Sequence, residues 1–340
     1  MQKVTIKDVA QVAGVSTQTV SRVINSRPDV SPSTRARVQQ VIKELEYSPN
    51  VIARSLSRGR TNTFGVVGYG LNYFGPSNIL QGIEKKSNEL GFSLILSLLK
   101  DFDSVLIDDI LKNLLSRQVD GIIWAVPGND NLIGELSEKF REISIPVVYL
   151  NKIQTQHEAV VALDNRLGGR IATQHLLEEG YQCIGIITGP TDWWEAQERE
   201  SGWREVITEA GLDSSNQVIV NGDWSAASGE AGLHNLLAKS PDIDAVFISN
   251  DQMALGALKA SRHLGINVPD ELGIVGFDDI PEAEYFYPPI STIRQNAELL
   301  GAMAVDQMSN MIRAGEDGRD YDADIIWVTP KLIIRNSSLR

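Results

Sequence analysis

Val4-Thr-Ile-Lys-Asp-Val-Ala-Gln-Val-Ala-Gly-Val-Ser-Thr-Gln-Thr-Val-Ser-Arg-Val-Ile-Asn25 reads as two short helices joined by a tight turn. Thr5 followed by Asp8 forms a capping box with the shorter Asp in the acidic position, and Ile6, Val9, Ala10 and Ala13 then fall at helical spacing. Gly14 ends that helix and Ser16 caps the next. In the second helix Val20, Val23 and Ile24 form the inward stripe, leaving Thr17, Gln18, Ser21 and Arg22 to face outward. Two helices around a short, glycine-bearing turn make a helix-turn-helix pattern. A third helix, starting near Ser33 or Thr34 after Pro32 and running to Glu46, buries Val38, Val41, Ile42 and Leu45 and completes a small core.

Charge sets this segment apart from the rest. Residues 1–60 hold ten Lys and Arg against four Asp and Glu, a net +6, while the other 280 carry −19, so that the whole chain is −13. A basic module joined to an acidic body points to nucleic acid at that module and repulsion elsewhere. At 340 residues the chain has room for two or three domains, and no run approaches the ~18 apolar residues that a membrane helix needs. MQKVTIKDVA lacks the apolar core of a signal peptide, and the single cysteine, Cys183, has no intrachain partner. A reducing cytoplasm is the expected compartment. Four scattered histidines suggest no metal site, and no cofactor is called for.

After Tyr47-Ser-Pro-Asn50 the stretch Val51–Arg58 has the pattern of about two helical turns, too few to be stable alone, which makes it helical only when held. From Thr63 onward, short β-branched runs alternate with amphipathic helices: Phe64–Gly68, Ser93–Ser97, Gly121–Ala125, Val147–Leu150, Ala159–Leu163, Ile184–Thr188, Val218–Val220, Ala245–Ser249 and Gly273–Phe277. That alternation predicts α/β layers with parallel sheets. The strands are too many for one sheet, and Asp164-Asn165 followed by Gly168-Gly169 marks the break between two similar halves. Late strand signals at Ile325–Val328 and Leu332–Ile334 return the chain to a sheet already built. Gly68-Tyr-Gly70 follows a strand, but the next glycine, Gly75, comes too late for a dinucleotide fingerprint. No nucleophile elbow, zinc motif or P-loop is present, so an enzyme is not expected.

The 4–25 stretch resembles the lactose/galactose repressor family of bacterial transcription regulators. Tyr47-Ser-Pro-Asn50, Asp164-Asn165, His175-Leu176, Gly189-Pro190, Gly222-Asp-Trp-Ser225, Ser249–Gly256, Gly276-Phe-Asp-Asp279 and Ser291-Thr-Ile-Arg294 extend the similarity over most of the chain. The resemblance implies a helix-turn-helix domain over 1–47, a hinge helix and linker over 48–61, and a periplasmic-binding-protein-like body over 62–335. Within the body, 62–163 with 294–323 forms one subdomain and 164–293 with 324–335 the other. It implies base contacts from Thr17, Gln18 and Arg22, with Thr5, Ser16, Ser21, Asn25, Ser31 and Thr34 as phosphate contacts or helix caps, joined by Asn50, Ala53 and Arg54. Leu56 either wedges between base steps of the minor groove, as in the family, or packs against the body.

Ligands of parallel α/β sheets bind beyond the carboxyl ends of the strands. Those ends carry Tyr69, Tyr73, Trp124, Asn151, Trp193, Trp194, Glu195, Arg199, Trp224, Asn250 and Asp278. Flat rings with Arg, Asn and Asp suit a sugar, and the family resemblance favours Arg199, Trp224, Asn250 and Asp278 as contacts. Of the neighbours Trp193 and Trp194, either belongs to the cleft or to the core; Trp203 and Trp327 are assigned to packing, and Asp164 and Asp251 have the alternative of capping the helices they precede. Trp193, Trp194 and Ala297 depart from the residues found in the family's lactose-responsive member, so the cleft is reshaped and its ligand is not carried over. The sequence therefore predicts a DNA-binding regulator, most simply a repressor released from a pseudo-palindromic operator by a sugar, and a homodimer because no C-terminal leucine heptad follows Arg335. The competing class is a sugar-binding transport protein without DNA function.

Overall fold

The computed structural model describes residues 4–25, 27–47, 60–100, 104–128, 139–140, 142–151, 158–212, 218–321 and 324–340. Two compact units divide the chain, Met1–Asn62 and Thr63–Arg340. In the first, α1 (Ile6–Ala13), α2 (Thr17–Ile24) and α3 (Pro32–Glu44) close around Val9, Ala10, Ala13, Val20, Val23, Val38 and Val41. Ile6, Ile24, Ile42, Leu45 and Tyr47 pack on its margin. Gly14 adopts φ 64, the left-handed conformation that ends α1 without a Cβ clash. The third helix begins one or two residues earlier than expected, because Ser31 caps it and Pro32 takes the first helical position, where its missing N–H costs nothing.

The second unit holds two six-stranded sheets. Its strands are β1 (Thr63–Gly68), β2 (Ser93–Leu98), β3 (Gly121–Ala125), β4 (Val147–Leu150), β5 (Ala159–Leu163), β6 (Ile184–Thr188), β7 (Ile219–Asn221), β8 (Ala245–Ile248), β9 (Gly273–Asp278), β10 (Ser291–Arg294), β11 (Ile325–Val328) and β12 (Lys331–Ile333). The first sheet runs β11-β5-β4-β3-β1-β2 with every pairing parallel; the second runs β12-β10-β9-β8-β6-β7, with only β12 antiparallel. Continuous burial along β5, β6, β8 and β9 is what a sheet covered on both faces requires. The covering helices are α4 (Phe74–Leu90), α5 (Ser104–Ser116), α6 (Asn165–Glu178), α7 (Trp194–Glu209), α8 (Ala226–Lys239), α9 (Asp251–Leu264) and α10 (Ala297–Glu316). Among the described residues no helix is long and apolar enough to cross a membrane.

The chain crosses between the halves at 163–165, 294–297 and 328–331. The last crossing corrects the expected boundary: β11 was assigned with 324–335 to the second half, yet it pairs with β5 in the first, and only β12 joins the second. β10, separated from β9 by only a short 3₁₀ helix (Pro281–Tyr285) and so outside the alternation rule, completes the second sheet beside β9. Trp203 is buried as expected, whereas Trp327 stands 47% exposed on β11, an edge strand with one neighbour.

Three helix pairs meet at reciprocal glycines. A Cβ on Gly82 of α4 would lie 2.0 Å from the Glu298 carbonyl oxygen of α10, and one on Gly301 of α10 2.1 Å from that of Ile79. Gly169 and Gly202 press in the same way on Arg199 and Arg166 between α6 and α7, and Gly229 and Gly256 on Met253 and Ala226 between α8 and α9. Backbone therefore packs on backbone at each crossing, which fixes the helices, and the side chains they carry, more tightly than side-chain packing would.

Candidate functional site

Two groups of polar side chains stand out, one in each unit. In the first, Ser16 accepts the Thr19 N–H at 3.1 Å and starts α2, leaving Thr17 and Gln18 exposed in the first turn and Arg22 in the last while Val20 and Val23 are buried. Arg22 pairs with Asp29 at 3.2 Å, an exposed ion pair of small energetic value. Ser21 is half-buried. Thr5 donates its N–H and its hydroxyl to the Asp8 carboxylate, both at 2.7 Å, and holds that carboxyl below its ordinary range. Asn25 donates to the Ser21 carbonyl at 2.8 Å, and Ser31 accepts the Thr34 N–H at 3.3 Å. Thr5, Ser16, Asn25 and Ser31 thus secure helix ends, with Thr5, Ser16 and Ser31 still exposed. Asn50, Ala53, Arg54, Leu56 and the expected 51–58 helix lie outside the described residues.

In the second unit a cleft enclosing about 680 Å³, its open mouth included, lies at the carboxyl ends of strands from both sheets. Eight of the expected residues line it: Tyr73, Asn151, Trp193, Glu195, Arg199, Trp224, Asn250 and Asp278. The rings form a seam. Trp193 stands edge-on to Tyr73 at 5.5 Å and to Trp224 at 5.6 Å, and Tyr69 supports it from behind at 5.9 Å without itself lining the cleft. Trp194 and Trp124 are corrections. Trp194 opens α7 and turns into the core of the first half, and Trp124, 4% exposed, packs edge-on to Phe140 at 5.3 Å. Both follow from local phase: side chains alternate faces along strand β3, and Trp194 takes the first helical position of α7 while Trp193 is the extended residue before it.

At the polar end, Arg199 projects from α7 with its Nε and one terminal nitrogen committed. Its Nε donates to Asn165 at 2.8 Å, one terminal nitrogen donates to the Ser249 carbonyl and lies 3.8 Å from Asp278, and its Cζ sits 3.7 Å over the Phe277 ring. Burial pushes the Asp278 carboxyl up to about 7, against the opposing pull of Arg199 and the Gln295 amide that donates to it. Burial likewise raises Glu195, opposed by Arg199 and by a hydrogen bond from Asn151. Asn151 is held by its own oxygen, which accepts the Leu163 N–H at 3.0 Å, so its amide nitrogen is the end left for Glu195. Asn250, not Asp251, caps α9, accepting the Met253 N–H at 2.9 Å. Asp251 is fully buried and instead accepts from Thr292 at 2.7 Å and the Ile280 N–H at 2.9 Å, tying down the loop behind Asp278; burial first, then the charge of Asp278, raises its carboxyl well above the usual range. Asp164 does cap α6, through the Leu167 N–H at 2.9 Å.

The cleft also uses residues that the sequence reading passed over: Phe74, Gly75, Pro76 and Ile79 at the start of α4, Ala125 to Pro127 and Leu150 just past Trp124 and Tyr149, and Gln295. Gln295 directly follows β10, so a strand reading of Ser291–Arg294 is the signal that locates it.

Comparison with known proteins agrees with this geometry. Residues 5–50 match the model of bacterial regulatory proteins, lacI family, and residues 173–338 match a periplasmic binding protein-like domain. The ribose operon repressor of Escherichia coli (strain K12) is 34% identical over 310 residues, covering 91% of this chain and 93% of that protein. A crystal structure of the lac repressor dimer bound to operator and the anti-inducer ONPF superimposes with a TM-score of 0.89 at 30% identity, all of both chains being covered. The complex of the transcriptional regulator CelR with cellobiose gives 0.73 at 32% identity over 98% of this chain and 100% of that one. A helix-turn-helix with its outward face exposed, a body of two largely parallel sheets around a lined cleft, and matches spanning both units lead to one conclusion: the chain belongs to the lacI family of bacterial regulatory proteins.

Proposed function

We propose that this chain is a sequence-specific transcriptional repressor that acts in the cytoplasm as a homodimer and leaves its operator when a small sugar occupies the cleft. It catalyses no reaction; its work is binding and release. The observation that carries the reading is the exposed face of α2, with Thr17 and Gln18 in its first turn and Arg22 in its last, on a helix of major-groove width. Gln has the donor and acceptor for adenine, and Arg the paired donors for guanine. In the cleft, the Tyr73, Trp193 and Trp224 rings fit the apolar C–H faces of a sugar, and Asn151, Glu195, Arg199 and Asp278 fit its rim of hydroxyls. CelR holding cellobiose supports sugars as the ligand class.

For the homodimer, Leu96 and Leu98 on the edge strand β2, Leu106 on α5, and Leu255, Tyr285 and Tyr287 in the second half are exposed and apolar, a surface suited to a second copy. The sugar shifts how the halves close, the contact between copies moves, and the 48–61 segment loses its grip on DNA. A coupling of ~1–3 kcal/mol changes affinity roughly 5–150-fold, enough for release. Selection from randomised duplex DNA with the full chain is expected to recover a pseudo-palindrome, and Leu56→Ala to weaken its binding strongly. Sequence-selective affinity retained after deletion of residues 1–60 would overturn the reading.

A further inference from the structure

Of the two described residues lining the cleft that carry a buried side-chain atom without a hydrogen-bond partner, Trp224 with the donor Nε1 and Glu195, only Glu195 offers an acceptor. It is 9% exposed, it lines the cleft, and its Oε2 is buried without a hydrogen-bond partner, whereas the Asn250 and Arg199 side chains are bonded to the protein and Asp278 accepts from Gln295. Leaving a buried acceptor unsatisfied costs ~1–3 kcal/mol, a cost that persists in native proteins where a ligand later meets it. The charges around it are unbalanced. Among the described residues lining the cleft, two carboxyls, Glu195 and Asp278, face the guanidinium of Arg199, which already holds Asn165, Ser249 and the Phe277 ring. A hydroxyl entering here donates to a waiting oxygen. A phosphate or carboxylate entering here gives up its hydration beside two acids, against a single guanidinium and the Trp224 N–H.

We propose that Glu195 is the specificity-determining residue of the cleft: its free carboxyl oxygen receives a hydroxyl hydrogen of an uncharged sugar, and the carboxyl pair turns away sugar phosphates and sugar acids. This rests on the sugar reading of the cleft and goes beyond it by naming the charge class and the residue that reads it. Aldonic acids are the matched probes, since they keep the sugar skeleton and add one negative charge.

The test is calorimetric titration and thermal shift of the full chain, at a pH above the raised value of Asp278, with lactose, cellobiose, maltose, glucose and galactose, each paired with its aldonic acid or 6-phosphate. At least one neutral sugar is expected to bind, and its charged partner more weakly by about a hundredfold, the scale of a buried charge left without a partner. Glu195→Gln keeps the size of the side chain but presents an amide there. In that variant the neutral sugar is expected to lose about tenfold or more, which is what a hydrogen bond to a charged group is worth, and the preference over the charged partner to narrow. The melting temperature of the unliganded variant separates lost recognition from lost folding; it is expected not to fall, because Oε2 bonds nothing in the free protein. A charged partner binding wild type as tightly as its neutral sugar, or an unchanged affinity in Glu195→Gln, overturns the proposal while the sugar reading stands. No binding from any member of the panel overturns the sugar reading, and this proposal with it.

Discussion

Asp278 combines a φ of 113°, rare for anything but glycine, with a buried carboxyl whose pKa is pushed up to about 7. Strain and desolvation of this kind persist where a site uses them. Because the folded pKa lies above the unfolded value of 3.8, the folded state holds a proton between about pH 4 and 7 that the unfolded chain releases. Stability from this group is therefore present at low pH and declines as pH rises through that window. Asp251 is shifted in the same direction, so Asp278→Asn is expected to reduce the fall in melting temperature between pH 5 and 8 without abolishing it. Parallel curves for wild type and variant would refute that assignment. At the other unit, Arg22→Ala is expected to relax base preference at one half-site position for ~1–3 kcal/mol, read by binding to a library of single-base operator variants; an unchanged preference profile counts against direct readout. The type of these residues was legible from the sequence because strand ends locate them. Which of two adjacent tryptophans faces the cleft was not, since the N-cap position of Trp193 and the helical phase of Trp194 depend on where α7 begins.

At the scale of elements, the glycine crossings connect the fold to the site. Gly169 presses on the carbonyl of Arg199, so the contact that positions α6 against α7 also sets the residue that grips Asp278. Gly169→Ala places a methyl group 2.2 Å from that oxygen, and the helices must separate. The expected cost is roughly 1–3 kcal/mol in stability, seen by denaturant unfolding, together with weaker sugar binding. Gly315, at the end of α10 with nothing within 4 Å of an added Cβ, is the control: Gly315→Ala is expected to be near neutral or mildly stabilising. Nine of the strands were visible as β-branched runs between helices, and two more as the late returns. Their allocation to sheets was not visible, because β11 and β12 have similar apolar patterns and only the direction of the chain after residue 328 separates them.

For the molecule as a whole, the distribution of charge sets how DNA binding responds to its surroundings. With +6 in the first 60 residues and −19 in the remainder, affinity is expected to fall steeply as salt rises, because the counterions released by phosphate contacts gain less entropy, and to fall more gradually in a variant with Arg22 and Arg54 both changed to Gln. Fluorescence anisotropy on an operator duplex from 50 to 300 mM salt measures both slopes, an order-of-magnitude range over which such contacts are usually lost; equal slopes would remove these arginines from the interface. The two-unit division and the paired sheets were legible from charge and periodicity, while the closure of each half was not. The first sheet is assembled from both ends of the body, with β1 to β5 made early, but α10 and β11 only after residues 165–294 have been laid down. During synthesis on the ribosome, the face that α10 covers and the edge that β11 fills stay open until nearly the whole chain has emerged, so the earlier half waits for the later one to finish before it becomes a native domain. Stalled or shortened translation products of this protein are therefore expected to be clients of chaperones and proteases, with no working body among them.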